Sequence, residues 1–346
     1  MRILIVCEKL ADRDDEGIKN VARHLLLSLG ARHEVLALSR ERWQQRSEVV
    51  SVPMGRFFLN ADLLRRARTF RPDATIYVPW TSGTPPTFVR ARVLGLATGA
   101  PVALVLCQPY PLPAAVRALI RFLLPSAVFA MSPGVVREIG ALGGRARFLA
   151  AGVELSRFRL PTPAERDEQR RVLGVGKGEK LVLHVGHLNR RRLDPDEIVA
   201  LTKTAGRRIV IVCSPATPQD EGIRRQLETA GVRILSEFLP QIERIYWGAD
   251  AYLFPTTEPR NCIGVPLSVL EALASGLSVV ATPFEGLPVL FPDTPHVRFG
   301  STADERSTLI DLLPAPASTQ ARDLVASLGW DEVAQSLVRT LTRRAD

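Results

Sequence analysis

Short, almost uncharged runs of valine, isoleucine and leucine recur along this chain and alternate with amphipathic segments, in two separate series. The runs fall at residues 2–6, 33–38, 74–78, 102–107, 127–131, 181–185, 209–213, 251–254 and 278–281. They are apolar on both faces, as strands of a parallel sheet covered by helices on each side must be. Between them, residues 17–29, 194–204, 219–230 and 267–275 place apolar side chains at helical spacing. This strand–helix rhythm predicts doubly wound α/β sheets, one before about residue 150 and one after about residue 180. Residues 156–178, charged and carrying Pro161 and Pro163, read as a linker. Residues 308–319, with Pro314 and Pro316, read as a second loop, leading to a last helix at 330–343.

The length of 346 residues suits two domains. We expect an N-terminal domain at 1–155, joined by a C-terminal helix at 328–346, and a second domain at 165–325. Two such sheets facing one another make a cleft, and ligands of open α/β sheets bind beyond the carboxyl ends of the strands. No apolar run approaches the 18 or so residues of a membrane-spanning helix. The apolar start at residues 1–7 reads as a first buried strand rather than a signal peptide. Cys7, Cys107, Cys213 and Cys262 are far apart, with no CxxC spacing, which suits a reducing cytoplasm.

The formal net charge of +9 is unevenly placed. Residues 1–150 hold 21 Lys and Arg against 11 Asp and Glu, and the rest hold 24 against 25. The first half should therefore attract anions: a phosphorylated substrate or an anionic membrane face. The alternative is a set of arginine-rich solvated faces. No basic run interleaved with aromatic residues appears, so nucleic acid is not expected as a partner.

Three segments carry candidate chemistry. In residues 184–197 (HVGHLNRRRLDPDE), a strand ends near Val185, Gly186 permits a turn, and Arg190, Arg191 and Arg192 precede a helix start marked by Asp194, Pro195 and Glu197. Asp194 and Glu197 have the spacing of a capping box. Cations beside a helix N-terminus suit a diphosphate, against the alternative of a solvated turn. In residues 261–276 (NCIGVPLSVLEALASG), Gly264 and Pro266 open a helix that stops at Gly276. Glu271 stands there among apolar residues and needs a partner, such as a ribose diol; the alternative is a salt bridge or an exposed helix face. In residues 282–288, Gly286 would let backbone N–H groups approach an anion, or form an ordinary turn.

These segments, in this order, resemble family 4 of the retaining glycosyltransferases, which have the GT-B fold. Residues 151–158 (AGVELSRF) resemble the family's hinge segment, and Val185, Gly186, His187, Leu188 and Arg192 its "VGRL…K" turn. Residues 249–255 (ADAYLFP) resemble its "aDvfvlPS" strand, residues 266–282 the end of its E-x7-E motif, and Gly329-Trp330 the start of its last helix. Glu16-Gly17 and Met131-Ser132 agree more loosely. The resemblance implies that Glu271 holds the nucleotide ribose, that Arg192 holds the donor diphosphate, and that Glu285, Gly286 and Leu287 form the loop whose amides approach the donor. Three positions depart: Ile263 replaces the first Glu of the motif, which faces the donor sugar; His187 replaces Arg; and Cys107 stands for a frequent histidine. Glu258, on the preceding loop, is a candidate to replace the missing carboxylate; pairing with Arg260 or plain exposure is the alternative.

The resemblance thus implies metal-independent transfer of a sugar from a nucleotide-sugar co-substrate to a saccharide or lipid-phosphate acceptor, with retention of configuration and no cofactor. Arg192 and His187 are the expected catalytic residues. Donor contacts are expected from Gly186, Arg191, Arg192, Ile263, Gly264, Val265, Leu267, Glu271, Glu285, Gly286 and Leu287. Acceptor contacts are expected from Gly17, Trp80, Cys107, Gln108 and Tyr110, in loops that include residues 14–19 and 80–83. The absence of a DxD-like pair after a strand agrees with metal independence. Residues 112–124, with Arg117 and Arg121 among leucines and phenylalanine, read either as a core helix or as a surface for peripheral contact with an anionic membrane at its cytoplasmic face. The alternatives are a degenerate nucleotide-sugar-binding subunit and an epimerase on the same fold.

Overall fold

A computed structural model describes residues 1–10, 16–54, 59–214, 218–260, 262–291 and 294–342. The chain forms two units. Met1–Ala151, Pro259–Val265 and Trp330–Asp346 make the first, and Gly152–Glu258 and Pro266–Gly329 make the second.

The first unit holds β1 (Arg2–Cys7), β2 (Glu34–Ser39), β3 (Val49–Ser51), β4 (Ala74–Val78), β5 (Val102–Leu106), β6 (Ala127–Ala130) and β7 (Ala146–Phe148). They form one sheet in the order β3-β2-β1-β4-β5-β6-β7, every pair parallel. Leu4, Val6, Leu38, Tyr77, Leu104 and Val128 point into a core closed by Phe88, Ala91 and Leu94 of the helix Pro85–Thr98. The last helix, Trp330–Thr342, belongs to this unit, and its Trp330 ring stacks on His24 at 4.9 Å.

The second unit holds β8 (Lys180–Gly186), β9 (Arg207–Cys213), β10 (Arg233–Leu235), β11 (Ala251–Phe254), β12 (Ser278–Ala281) and β13 (Val297–Phe299). Their order is β10-β9-β8-β11-β12-β13, again all parallel. Val182, Leu188, Leu193, Ile198, Ile211 and Leu253 lie in its core. The unit begins and ends side by side, because Val153 bridges Gly329 in parallel and its N–H donates to the Leu328 carbonyl at 2.9 Å.

Several sequence expectations need correction. The expected linker contains a helix, Pro163–Val172, opened by a capping box between Thr162 and Glu165. Its charge has a purpose: Arg166 and Arg170, one turn apart, both reach Asp250. The second expected loop starts late, since the helix Ala303–Asp311 runs through its first four residues. Residues 112–124 do form a helix, Ala114–Leu123, but Ile120 is its one buried residue, so it is not a core helix. Residues 259–265, expected in the second domain, cluster with the first unit, where the Gly264 N–H donates to the Cys107 carbonyl at 2.7 Å. The Arg343 end of the expected last helix lies outside the described residues.

Strand order reverses between β1 and β4 and again between β8 and β11. In each sheet the first strand lies between its successor on one side and a later strand on the other. The loops beyond the carboxyl ends of β8 and β11 therefore occupy the switch point where open α/β sheets take their ligands.

Candidate functional site

The turn after β8 is anchored by Leu188 and Leu193, both in the core, with four residues to close between them. It closes tightly, the Asn189 carbonyl accepting from the N–H groups of Arg192 and Leu193 at 3.0 and 3.2 Å. Arg190 and Arg191 project outward and are exposed, whereas Arg192 is buried, 6% exposed. The three arginines are therefore not equivalent. Arg192 is gripped from the loop after β11: its carbonyl accepts from the Thr256 hydroxyl at 2.9 Å, and its guanidinium donates to the Glu258 carbonyl at 3.0 Å. Thr282, at the end of β12, donates in turn to the Thr256 carbonyl. Two buried hydroxyls thus tie three strand ends together.

The helix start beyond this turn differs from the expected capping box. Asp194 caps it by accepting from the Asp196 N–H at 3.0 Å. Glu197 instead pairs with Arg306, both almost wholly buried, with Arg306 Nε 2.8 Å from Glu197 Oε1. Gly186 also has a different reason from the one expected. It ends β8 as a strand residue with no left-handed backbone. A Cβ there would lie 2.8 Å from His184 Nε2, so glycine is required by close approach.

His184 is 1% exposed and its Nδ1 lies 3.0 Å from the Leu253 carbonyl, which can only accept, so Nδ1 carries the proton. Nε2 is left as a buried acceptor without a partner among the described residues. Burial is the main reason its pKa falls to about 4. Burial also lowers the His187 pKa, and the Arg192 charge adds to that effect. His187 is thus a neutral hydrogen-bonding group near neutral pH, not a cation.

The carboxylate that lacked a partner in the sequence has one in the fold. Glu271, half-buried on the helix Leu267–Ala274, accepts from the Tyr246 hydroxyl at 2.7 Å. Tyr246 is fully buried and stacks on Tyr252, whose hydroxyl donates to the Val185 carbonyl at 3.2 Å. Leu267 opens the same helix and is half-buried. In the loop after β12, Glu285 takes a left-handed backbone, φ 39°, while Gly286 is right-handed. The special conformation therefore sits on the carboxylate residue rather than on the glycine expected to need it, at a cost of about 1 kcal/mol. Gly286 and Leu287 are buried.

The remaining expected donor residues, Ile263, Gly264 and Val265, belong to the first unit. Ile263 is 8% exposed, and a Cβ on Gly17 would lie 3.3 Å from its Cδ1. Gly264 has no room for a side chain: its Cβ would lie 2.3 Å from the Met131 carbonyl oxygen. Cys107 is fully buried and contributes its carbonyl to Gly264; burial pushes its thiol pKa far up, with Glu16 adding to that. Gln108 accepts through its carbonyl from Ser82. Trp80 donates its N–H to Glu8 at 2.8 Å and lies under the Lys9 ammonium, 3.8 Å from the ring centroid. Tyr110 is 41% exposed. Glu16, whose pKa is raised by burial, caps the helix Gly17–Gly30. Asp14 and Asp15, and Asn261 of the second motif, lie outside the described residues.

Sequence reasoning missed Tyr246, Tyr252, Thr256 and Thr282. The signal was present for the tyrosines: a buried phenol needs a hydrogen-bond partner, and one of them precedes the β11 run while the other lies within it. Among the described residues, no group of three or more His, Cys, Asp or Glu side chains is arranged to hold a metal ion.

Comparison with known proteins gives three findings. Residues 179–305 match the family model of glycosyl transferases group 1. D-inositol 3-phosphate glycosyltransferase of Mycolicibacterium smegmatis is 28% identical over 207 residues, covering 56% of this chain and 46% of that protein. The corresponding protein of Mycobacterium tuberculosis is 26% identical over 229 residues, covering 60% and 46%. This chain thus spans about half the length of the curated relatives it matches. Among solved structures, Anabaena HepE in complex with UDP superposes with a TM-score of 0.78 at 16% identity, covering 99% of this chain and 100% of that one. A glycosyltransferase from Rickettsia africae gives 0.78 at 13%, covering 99% of each. The fold is the GT-B pairing of two Rossmann-like domains.

Proposed function

We propose that this chain is a glycosyltransferase that moves a sugar from a nucleotide-sugar donor to a saccharide or lipid-phosphate acceptor, with retention of configuration and without a metal ion. One observation carries the reading. The stretch matching the glycosyl transferase family, residues 179–305, contains Arg192, His187 and Glu271; Arg192 is tied by hydrogen bonds to the loop after β11 at the β8–β11 switch point, and Glu271 is tied to Tyr246 on the helix that leads into β11. HepE structures hold UDP and UDP-glucose, which supports a uridine nucleotide as the first donor to try.

In this reading Glu271 accepts from the ribose hydroxyls. Arg192, with the exposed Arg191 at the same turn, stabilises the diphosphate as charge develops on it. His187, neutral, donates a hydrogen bond to a phosphate oxygen. The backbone at Gly186, Glu285, Gly286 and Leu287 lines the donor. The bond between the anomeric carbon and the diphosphate oxygen breaks, the acceptor oxygen bonds to the same face of that carbon, and the acceptor proton passes to the leaving diphosphate. The protein positions the reactants and needs no nucleophile of its own. Leu267 flanks the donor sugar, and Gly17, Trp80, Gln108 and Tyr110 of the first unit face the acceptor.

The test is turnover with UDP-glucose and a range of acceptors, read as released UDP with and without EDTA. Arg192→Ala should cut the rate roughly 10–100-fold, the worth of a charge-assisted hydrogen bond. A rate close to wild type would remove Arg192 from the mechanism. The second reading, a nucleotide-sugar-binding subunit without transferase activity, is favoured by Ile263 being packed against Gly17 and by the burial of Cys107. Binding of UDP-glucose without release of UDP for any acceptor would select it.

An anionic membrane surface is the proposed home of a lipid-linked acceptor. The helix Ala114–Leu123 exposes Leu119 (57%) and Phe122 (77%) beside Arg117 and Arg121, in the half of the chain that carries the basic excess. Anionic liposomes should retain the protein at low salt and release it at high salt, because surface charge is screened. Equal retention by neutral liposomes would remove this part.

A further inference from the structure

We infer that Tyr246 is a positioning residue that orients the Glu271 carboxylate and so sets how strongly the chain selects ribonucleotides over 2′-deoxyribonucleotides. The inference rests on the reading of Glu271 as the ribose-binding carboxylate.

Tyr246 is fully buried on the short helix Glu243–Gly248. Its ring is held on two sides, by the edge of Phe158 at 5.6 Å and 87° and by stacking on Tyr252 at 6.0 Å and 24°. A ring fixed this way presents its hydroxyl in one place. That hydroxyl donates to Glu271 Oε2 at 2.7 Å. Burial, reinforced by the Glu271 charge, holds the phenol pKa well above its usual value, so Tyr246 is a donor near neutral pH. A half-buried carboxylate on a helix otherwise turns about its terminal bond, and a bond from a rigid donor confines it. Packing alone would be satisfied by phenylalanine, so the hydroxyl has its use at Glu271.

The stacked partner extends the device. Tyr252 donates to the Val185 carbonyl, one residue before the Gly186 end of β8 and the turn that bears Arg192. The two tyrosines therefore run from the carboxylate to that turn. A nucleoside diphosphate has a limited reach between its ribose diol and its phosphates, and this pair holds the two receiving groups at one spacing.

The experiment is calorimetric titration of the full chain with UDP and with 2′-deoxy-UDP, for wild type, Tyr246→Phe, Tyr252→Phe and Glu271→Gln, with a thermal melt of each. Wild type should prefer UDP by about tenfold or more, the worth of a hydroxyl on a charged acceptor. Tyr246→Phe should shrink that preference to about threefold by weakening UDP alone, and should add nothing in a Glu271→Gln background. Tyr252→Phe should weaken both ligands alike, because it loosens the turn rather than the carboxylate. Retention of the wild-type preference by Tyr246→Phe, or equal weakening of both ligands by it, overturns the inference and leaves the ribose reading standing. A wild type that binds UDP with no preference over 2′-deoxy-UDP overturns the ribose role of Glu271 and this inference together. Should Tyr246→Phe fail to fold, an unchanged UDP affinity in Tyr252→Phe overturns the spacing role of the pair.

Discussion

In the first unit Lys19 is the one buried charged or imidazole side chain among the described residues, whereas the second unit buries His184, Arg192, Glu197, His296 and Arg306. Yet the excess of basic residues lies in residues 1–150, and the remainder is nearly balanced. The first unit carries its charge on the surface and the second places it inside. Surface charge acts over a distance, is weakened by salt and contributes little to stability. Buried charge acts only on what touches it, and it is costly to leave without a partner. The comparison teaches that net charge and functional charge are different quantities here. The half with the larger net charge is suited to attraction, and the nearly neutral half is suited to holding a ligand in one place.

Three substitutions break or sharpen that contrast. The largest effect is expected from Arg306→Met, which leaves the Glu197 carboxylate buried alone and should cost about 3–5 kcal/mol in denaturant unfolding. Replacing both partners by apolar residues should recover most of that loss, and a single substitution costing under about 1 kcal/mol would show that the interior pair does not brace the second unit.

Next comes acid sensitivity. The folded pKa of His184, about 4, lies below the 6.5 of an ordinary imidazole, so the unfolded chain binds that proton more readily. The group therefore contributes stability that is fully present above pH 6.5 and is lost as pH falls toward 4, up to about 3 kcal/mol. Denaturant melts between pH 7 and 4 should show this slope in wild type and a shallower one in His184→Phe. Parallel slopes would mean that the imidazole does not sense the pH in the fold.

The smallest effect concerns a charged residue that is not wholly buried. Glu285→Gly should raise stability by about 0.5 kcal/mol, the left-handed penalty less the entropy of glycine. Destabilisation instead would mean that the Glu285 side chain holds its loop, and the contrast between interior and surface charge would then need a third class.

The strands legible in the sequence were those with covered faces on both sides. Nine runs were read, and each corresponds to a strand of four residues or more. The four that escaped, β3, β7, β10 and β13, are each three residues long and are the outer strands of the two sheets. An edge strand is short and partly solvated, so it leaves no continuous apolar run. The same limit applies to the site. Arg192 and Glu271 could be picked out because each sits where local patterns meet, a strand end before a capped helix and a lone carboxylate on an apolar helix. What binds them could not, because Tyr246 is 25 residues from Glu271 and Thr256 is 64 from Arg192. Glu197 shows the converse error: a correct local spacing suggested a cap, and a partner 109 residues away claimed the carboxylate.

The bridge between Val153 and Gly329 has a consequence for anyone wishing to move the second unit. Because its ends are adjacent, residues 152–329 behave as a cassette, and a short splice from Ala151 to Trp330 is all that the remainder needs for continuity. The cassette has one foreign stretch, Pro259–Val265, whose Gly264 amide takes its acceptor from Cys107 and whose Ile263 lies against Gly17. A transplant that keeps those seven residues must rewrite them for solvent, and a host that wants them must supply a carbonyl in the place of Cys107.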